Sequence, residues 1–344
     1  MKKIDLTEEH LLGHGAIHSP ELKKDKKVLR ICSSEPFDWL TGWDFEKKYG
    51  IKIPFKNQQN SQSCGGQAGS YATAVAEIVS EQDKNYIEDS AKALYSQIFM
   101  PNGGGCTEID LIKLLTNWGC LVESLVPSHK SDGTTDESFM EDKSWINDKM
   151  NEMAKSMKIY QPAIVENTME AWAQAIRDHG FLIVAVQGSN NGTWNSNEPK
   201  PPTKPTWGHF LCFMKAGTDS SGKFVSTPNS WGDCRSHDLL HSDGWQKFRQ
   251  NWFDSGMIWT AYTFHELKTN NNTMTFRLIT MEGDANRTVF WVGNDQVRRP
   301  FMTASQYTQM CAALGFDSMF TGLETLTKEQ MMAIPEGKPL VIIQ

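Results

Sequence analysis

Apolar positions keep helical spacing through the first half of the chain and gather into strand-like runs in the second. From Cys64, the stretch CGGQAGSYATAVAEIVSE puts Ala68, Tyr71, Ala72, Val75, Ile78 and Val79 on one face, the spacing of an amphipathic helix. EDSAKALYSQIF predicts a short helix, PNGGG a glycine turn, and TEIDLIKLLTNWG a helix ending at Gly119. Residues 128–160 are charged and Met-rich and read as a surface insertion carrying a helix. NTMEAWAQAIRDHG predicts another helix, stopped by Gly180, and FLIVAVQG follows directly as a strand. The next stretch, SNNGTWNSNEPKPPTKPTWG, holds four prolines and excludes regular structure. HFLCFMKAG and KFVSTP then read as two strands about the turn TDSSG. A helical half followed by a stranded half predicts an α+β chain.

The flanks differ in texture. Residues 1–35 are polar, with little periodicity, and read as an N-terminal arm. HELKTNNNT at 265–273 reads as a linker. The domains expected are therefore the arm 1–35, a main domain 36–267 and a small C-terminal α/β module 268–344. In that module TMTFRLIT and RTVFWVG predict strands, and capping-box patterns open helices at Thr303…Gln306 and Thr327…Gln330.

Charge removes some partners. The 344 residues carry 34 basic and 41 acidic side chains, a net charge of −7, and KKDKK is the only dense basic run. That excludes a phosphate-tracking surface, so nucleic acid is not expected as a partner. No apolar run approaches the length of a membrane span, and the N-terminus lacks the apolar core of a secretory signal. A cytoplasmic protein is expected. Its seven cysteines are odd in number and widely scattered, which fits a reducing compartment rather than a disulfide framework.

Candidate chemistry centres on NQQNSQSCGGQAGSY. Gly65, Gly66 and Gly69 fall in the first turns of a helix, where each costs about 1 kcal/mol against Ala. One reason is close backbone packing. Another is that the helix N-terminus stays bare, so that a ligand can reach Cys64. A thiol there is partly activated, because the helix terminus favours thiolate. A nucleophilic cysteine also needs a base and a group to orient that base. His209 opens a strand directly after the proline-rich loop, and TPNSWG puts Asn229 across the hairpin from it. Asn229 is expected to accept the Nδ1 proton of His209, with Trp231 covering that bond. Cys234, His237 and His241 have a spacing a metal could use but read as an ordinary surface loop, and His10, His14 and His18 read as solvated.

These motifs resemble the papain-like cysteine peptidases. The family pattern N-Q-G-S-C-G-S-C-W aligns with NQQNSQSC ending at Cys64, and its oxyanion-hole glutamine falls on Gln58. KIPFKNQ and PFDW match the upstream texture, and Asn102-Gly103-Gly104 looks like the substrate-binding turn. GH at 208–209 and NSWG at 229–232 supply the other catalytic motifs, and the likeness covers about residues 36–265. The separation of Cys64 and His209, 209 − 64 = 145, lies in the roughly 130–150 typical of that family. There are departures. Gly65 replaces the usual Trp, and C-G-G-Q-A looks more like bacterial and phage relatives. Ser61 and Pro101 replace a cysteine pair. Bulky Phe210 follows the histidine and is expected near the S2 pocket.

The resemblance implies a two-lobed fold, a helical lobe beside a β-barrel-like lobe. It implies a cysteine peptidase acting on protein or peptide through Cys64, His209, Asn229 and Gln58. Substrate would be held by Gly103, Gly104, Phe210 and Trp231, with no metal and no cofactor. The arm is shorter than the inhibitory propeptide of secreted members, so zymogen control of that kind is not expected. Two further readings are a peptidoglycan-directed hydrolase, and a weakly active or inactive component of a phage or other assembly, virion-associated and contacting partners through residues 1–35 and 268–344.

Overall fold

The computed structural model describes residues 15–18, 29–31, 36–81, 86–101, 104–155, 162–190, 192–232, 245–264, 277–284, 288–292, 298–300 and 323–336. The chain divides into two units, Met1–Lys268 and Thr269–Gln344. The first begins with short strands β1 (Ala16–Ile17), β2 (Leu29–Ile31) and β3 (Trp43–Asp44). Helices α1 (Phe45–Tyr49), α2 (Cys64–Glu81) and α3 (Ala91–Ile98) follow, then β4 (Cys106–Thr107) and α4 (Glu108–Asn117). The charged stretch after 128 forms α5 (Glu137–Glu141) and α6 (Asp148–Lys155). Next come β5 (Pro162–Val165), α7 (Met169–His179), β6 (Leu182–Gly188), β7 (Trp207–Phe213), β8 (Lys215–Asp219) and β9 (Gly222–Thr227). Strand β10 (Gln246–Phe248), helix α8 (Gln250–Asp254) and β11 (Ile258–Phe264) complete the unit.

Local rules set the helix ends. The Thr168 side chain accepts from the N–H of Ala171 to open α7, and Gly180 closes it in the left-handed region. Thr107 and Ser90 cap α4 and α3 in the same way.

HFLCFMKAG does not form one strand. It breaks at Met214, where the chain leaves one sheet for another: β7 pairs with β6, and β8 pairs with β9. The sheets run β2-β5-β11-β6-β7 and β10-β9-β8-β3. Strand alternation then divides the core. Phe210 and Cys212 of β7 pack with α2 and α4, whereas Trp207, Leu211 and Phe213 pack with α7 and an aromatic cluster. Helix α2 lies between the helical lobe and the β7 face, and its side chains are buried from Cys64 to Ala76.

The arm is not wholly without structure. β1 pairs in parallel with β4, and β2 in parallel with β5. Strands of two and three residues are too short to leave an alternating pattern in the sequence.

The second unit contains β12 (Arg277–Met281), β13 (Phe290–Val292), β14 (Arg298–Pro300), β15 (Leu323–Leu326) and α9 (Lys328–Met332). Its sheet runs β14-β13-β12-β15, with β12 and β15 parallel. Ile279, Val292, Leu326 and Met331 form its core. The capping box at Thr327 forms as its pattern predicts; the helix expected from Thr303 lies outside the described residues. Among the described residues no helix is long and apolar enough to cross a membrane.

Candidate active site

Cys64 is the first residue of α2 and is fully buried. Backbone hydrogen bonds from Phe210, Gly65 and Gly15 reach its thiol. Phe210 follows His209 on β7, so the sulfur lies beside the strand that carries the histidine.

The His209 ring is fixed by what surrounds it. Nε2 lies 2.8 Å from Oδ1 of Asn229. The same Oδ1 accepts the N–H of Ser230 at 2.6 Å. A backbone N–H can only donate, so that end of the amide is the oxygen, and Nε2 must donate to it. A neutral ring therefore carries its proton on Nε2 and its lone pair on Nδ1. Nδ1 is buried and has no hydrogen-bond partner among the described residues. This corrects the expectation that Nδ1 bonds to Asn229: the other nitrogen does so, and Nδ1 remains open as a base. Asn229 itself sits at φ 57, a left-handed conformation that asparagine tolerates better than most residues.

Trp231 stacks on His209, with ring centroids 4.8 Å apart and 25° between planes. Trp194 meets the edge of the same imidazole at 6.1 Å and packs against Trp207 and Trp231. The proline-rich loop is thus a wall of the site, not only a connection. Gln58 is fully buried and held at both ends. Its Oε1 accepts from Ser230 Oγ at 2.7 Å, and its Nε2 donates to the Ser61 carbonyl at 2.9 Å. An amide NH2 has two protons, and the second has no partner among the described residues.

Of the predicted substrate residues, Trp231 covers His209 and the others lie elsewhere or outside the described residues. The Phe210 ring is buried against Gly65, on the face of β7 opposite His209. Gly104 packs against the side chains of Gln62 and Glu137. Gly103 and Asn102 lie outside the described residues, as do Cys234, His237, His241, His10 and His14. No group of metal-ligating side chains forms among the described residues.

The glycines after Cys64 do not leave the helix terminus bare. A Cβ on Gly65 would lie 2.2 Å from the sulfur of Cys106, and one on Gly66 would lie 2.5 Å from the Ala91 carbonyl oxygen. Close packing against β4 and α3 is the reason for them.

The cleft side of Cys64 is covered by the chain's own N-terminal segment. The Cys106 N–H donates to the Gly15 carbonyl at 2.7 Å, and Ala16 and Ile17 continue alongside Cys106 and Thr107 as β1. A Cβ on Gly15 would lie 2.4 Å from Cys64 Sγ and 2.1 Å from the Gln62 carbonyl oxygen. On the other side, a Cβ on Gly208 would lie 2.2 Å from the Ala16 carbonyl oxygen. The segment therefore threads between the Cys64 and His209 sides of the site. Beyond it His18, expected to be solvated, stacks on Trp259 at 5.1 Å and lies 3.2 Å from buried Glu108.

Burial sets the electrostatics. It pushes the Cys64 thiol up to about 12, against the pull of its three backbone hydrogen bonds. It pushes His209 down to about 4, against the bond to Asn229. With the segment in place, burial disfavours the charged form of both groups and so opposes the thiolate–imidazolium pair that a helix terminus and an exposed site would favour. Sequence reasoning missed Gly15, Trp194, Ser230 and Gln246. The alternation WQKF holds one cue, since it places Gln246 on the inward face with Phe248.

Solved structures with the same fold include xylellain, a cysteine protease from Xylella fastidiosa, at 15% identity and a TM-score of 0.59, covering 75% of this chain and 98% of that one. Procathepsin B S9 from Trypanosoma congolense matches at 12% identity and 0.55, over 76% of this chain and 90% of that one. The proform of the ragweed-pollen cysteine protease Amb a 11 matches at 18% identity and 0.53, over 72% and 71%. No protein-family model matches the sequence, and no curated relative does. The chain has the papain-like cysteine-protease fold, in which the stranded lobe consists of open sheets among the described residues.

Proposed function

We propose that the chain is a cysteine peptidase acting on protein or peptide, and that the form described here is its closed state. The observation that carries this is the fixed tautomer of His209. Its lone pair is on Nδ1, on the strand beside a thiol that heads a helix. In the open state Nδ1 takes the Sγ proton, and the thiolate attacks the carbonyl carbon of a peptide bond. The Cys64 N–H and the spare Gln58 N–H stabilise the oxyanion. Collapse breaks the C–N bond, and the imidazolium gives its proton to the leaving amine. Water, deprotonated by the same nitrogen, then hydrolyses the thioester and frees Cys64. Asn229 holds the ring throughout, and Trp231 keeps water from that bond.

The segment at Gly15 must leave before a substrate can enter. The test uses full-length protein and a fluorescently quenched unfolded protein as substrate. Gly15→Val cannot seat its side chain beside Sγ and is expected to cleave faster than wild type. Adding Cys64→Ala is expected to abolish that cleavage. Cleavage that survives Cys64→Ala, or none by the Gly15→Val chain, would sink the reading.

A further inference from the structure

Asn229 has a second end. Its Nδ2 is buried and donates to Oε1 of Gln246 at 2.7 Å. Gln246 opens β10 and is fully buried. Its own Nε2 donates to the Trp194 carbonyl at 2.8 Å and lies 3.4 Å from that of Ser196. Trp194 is the residue whose ring meets the edge of His209. One side chain therefore joins the amide that orients the imidazole to the loop that walls it.

The chemistry depends on which way that amide faces. Turned by half a rotation, Asn229 would present NH2 to His209, and Nε2 could meet it only as an acceptor. The ring proton would then move to Nδ1 and the base would be lost. Ser230 N–H opposes that rotation at the oxygen end, and Gln246 Oε1 opposes it at the nitrogen end. We propose that Gln246 is a positioning residue, acting through Asn229 to keep the His209 proton on Nε2. This rests on the Cys64–His209 reading, but its test needs no peptidase activity.

The full chain is labelled with 15N only at histidine, and His209 is followed by NMR. In wild type its Nε2–H is expected to be hydrogen-bonded and slow to exchange with solvent. Gln246→Leu removes the acceptor, and exchange is expected to quicken at least about tenfold, because a buried donor left unpaired is costly and the amide is no longer held. Gln246→Glu, kept protonated by burial, still accepts from Asn229 and donates to the Trp194 carbonyl, and should restore slow exchange. Ser226→Ala is the control: among the described residues its hydroxyl bonds only the backbone carbonyl of Gln246 on the neighbouring strand. It is expected to lower thermal stability without altering the His209 signal.

Gln246→Leu with wild-type exchange overturns the proposal, as does Ser226→Ala with an effect equal to that of Gln246→Leu. Should Gln246→Leu fail to fold, Gln246→Met, of similar length but without the amide, is read in its place, and wild-type exchange there overturns the proposal. Failure of the peptidase reading would show separately, as cleavage indifferent to Cys64.

Discussion

Replacing Gly15 by valine tests whether residues 15–18 keep the thiol neutral. The new side chain would begin 2.4 Å from Cys64 Sγ and 2.1 Å from a backbone oxygen, and no rotamer relieves a clash at Cβ itself. The segment has to leave the cleft. The main cause of the raised thiol then goes, and Cys64 falls from about 12 toward the ordinary value near 8.5. At pH 7 the thiolate fraction changes by about 10 raised to the difference, roughly a thousandfold or more. Transient opening of the wild type sets a floor on its rate, so the observed gain should fall between about tenfold and a thousandfold. The assay is iodoacetamide labelling followed per cysteine by mass spectrometry, with buried Cys120 and Cys212 as internal references. Once freed, Cys64 should also meet His209, and its labelling should persist to about pH 5–6, where an unpaired thiol is inert. A Cys64 rate unchanged by Gly15→Val would refute the reasoning, because the segment would then not be what buries the sulfur.

Two further outcomes concern stability. Gly66→Ala puts a methyl 2.5 Å from the Ala91 oxygen and 2.8 Å from Tyr95 Cβ, forcing α2 from α3; urea denaturation should show a loss of about 2–3 kcal/mol, and a loss below about 0.5 kcal/mol would contradict the packing explanation for that glycine. His209, held at about 4 when folded against 6.5 unfolded, contributes stability that is complete above pH 6.5 and is lost as pH falls through 4. The maximum is about 3 kcal/mol, from 1.36 kcal/mol per unit. Denaturation curves between pH 4 and 7 should therefore be flatter for His209→Gln than for wild type, and parallel curves would reject the shift.

Much of the architecture follows from rules that act within one or two turns of chain. The face Ala68–Tyr71–Val75–Ile78 formed α2, Thr168 and Gly180 bounded α7, and Thr327 with Gln330 closed a capping box. Each signal needs only neighbours a few residues away, so each is legible in the sequence. The pairing of His209 with Asn229 was legible for a different reason, because TPNSWG lies across a hairpin from the strand that carries the histidine. Other features were decided by approach between segments far apart in the chain. Nothing local to Gly15 says that it will lie against a sulfur at position 64, and nothing local to Gly65 says that Cys106 will fill the space a Cβ would need. The same holds for Gln246, whose partner Asn229 reaches it only because β10 pairs with β9. The choice of His209 nitrogen came from a single backbone N–H at Ser230. The environment of the thiol was also tertiary: a helix terminus favours thiolate, burial opposes charge more strongly, and Gly15 and Phe210, far off in the sequence, lie against the sulfur.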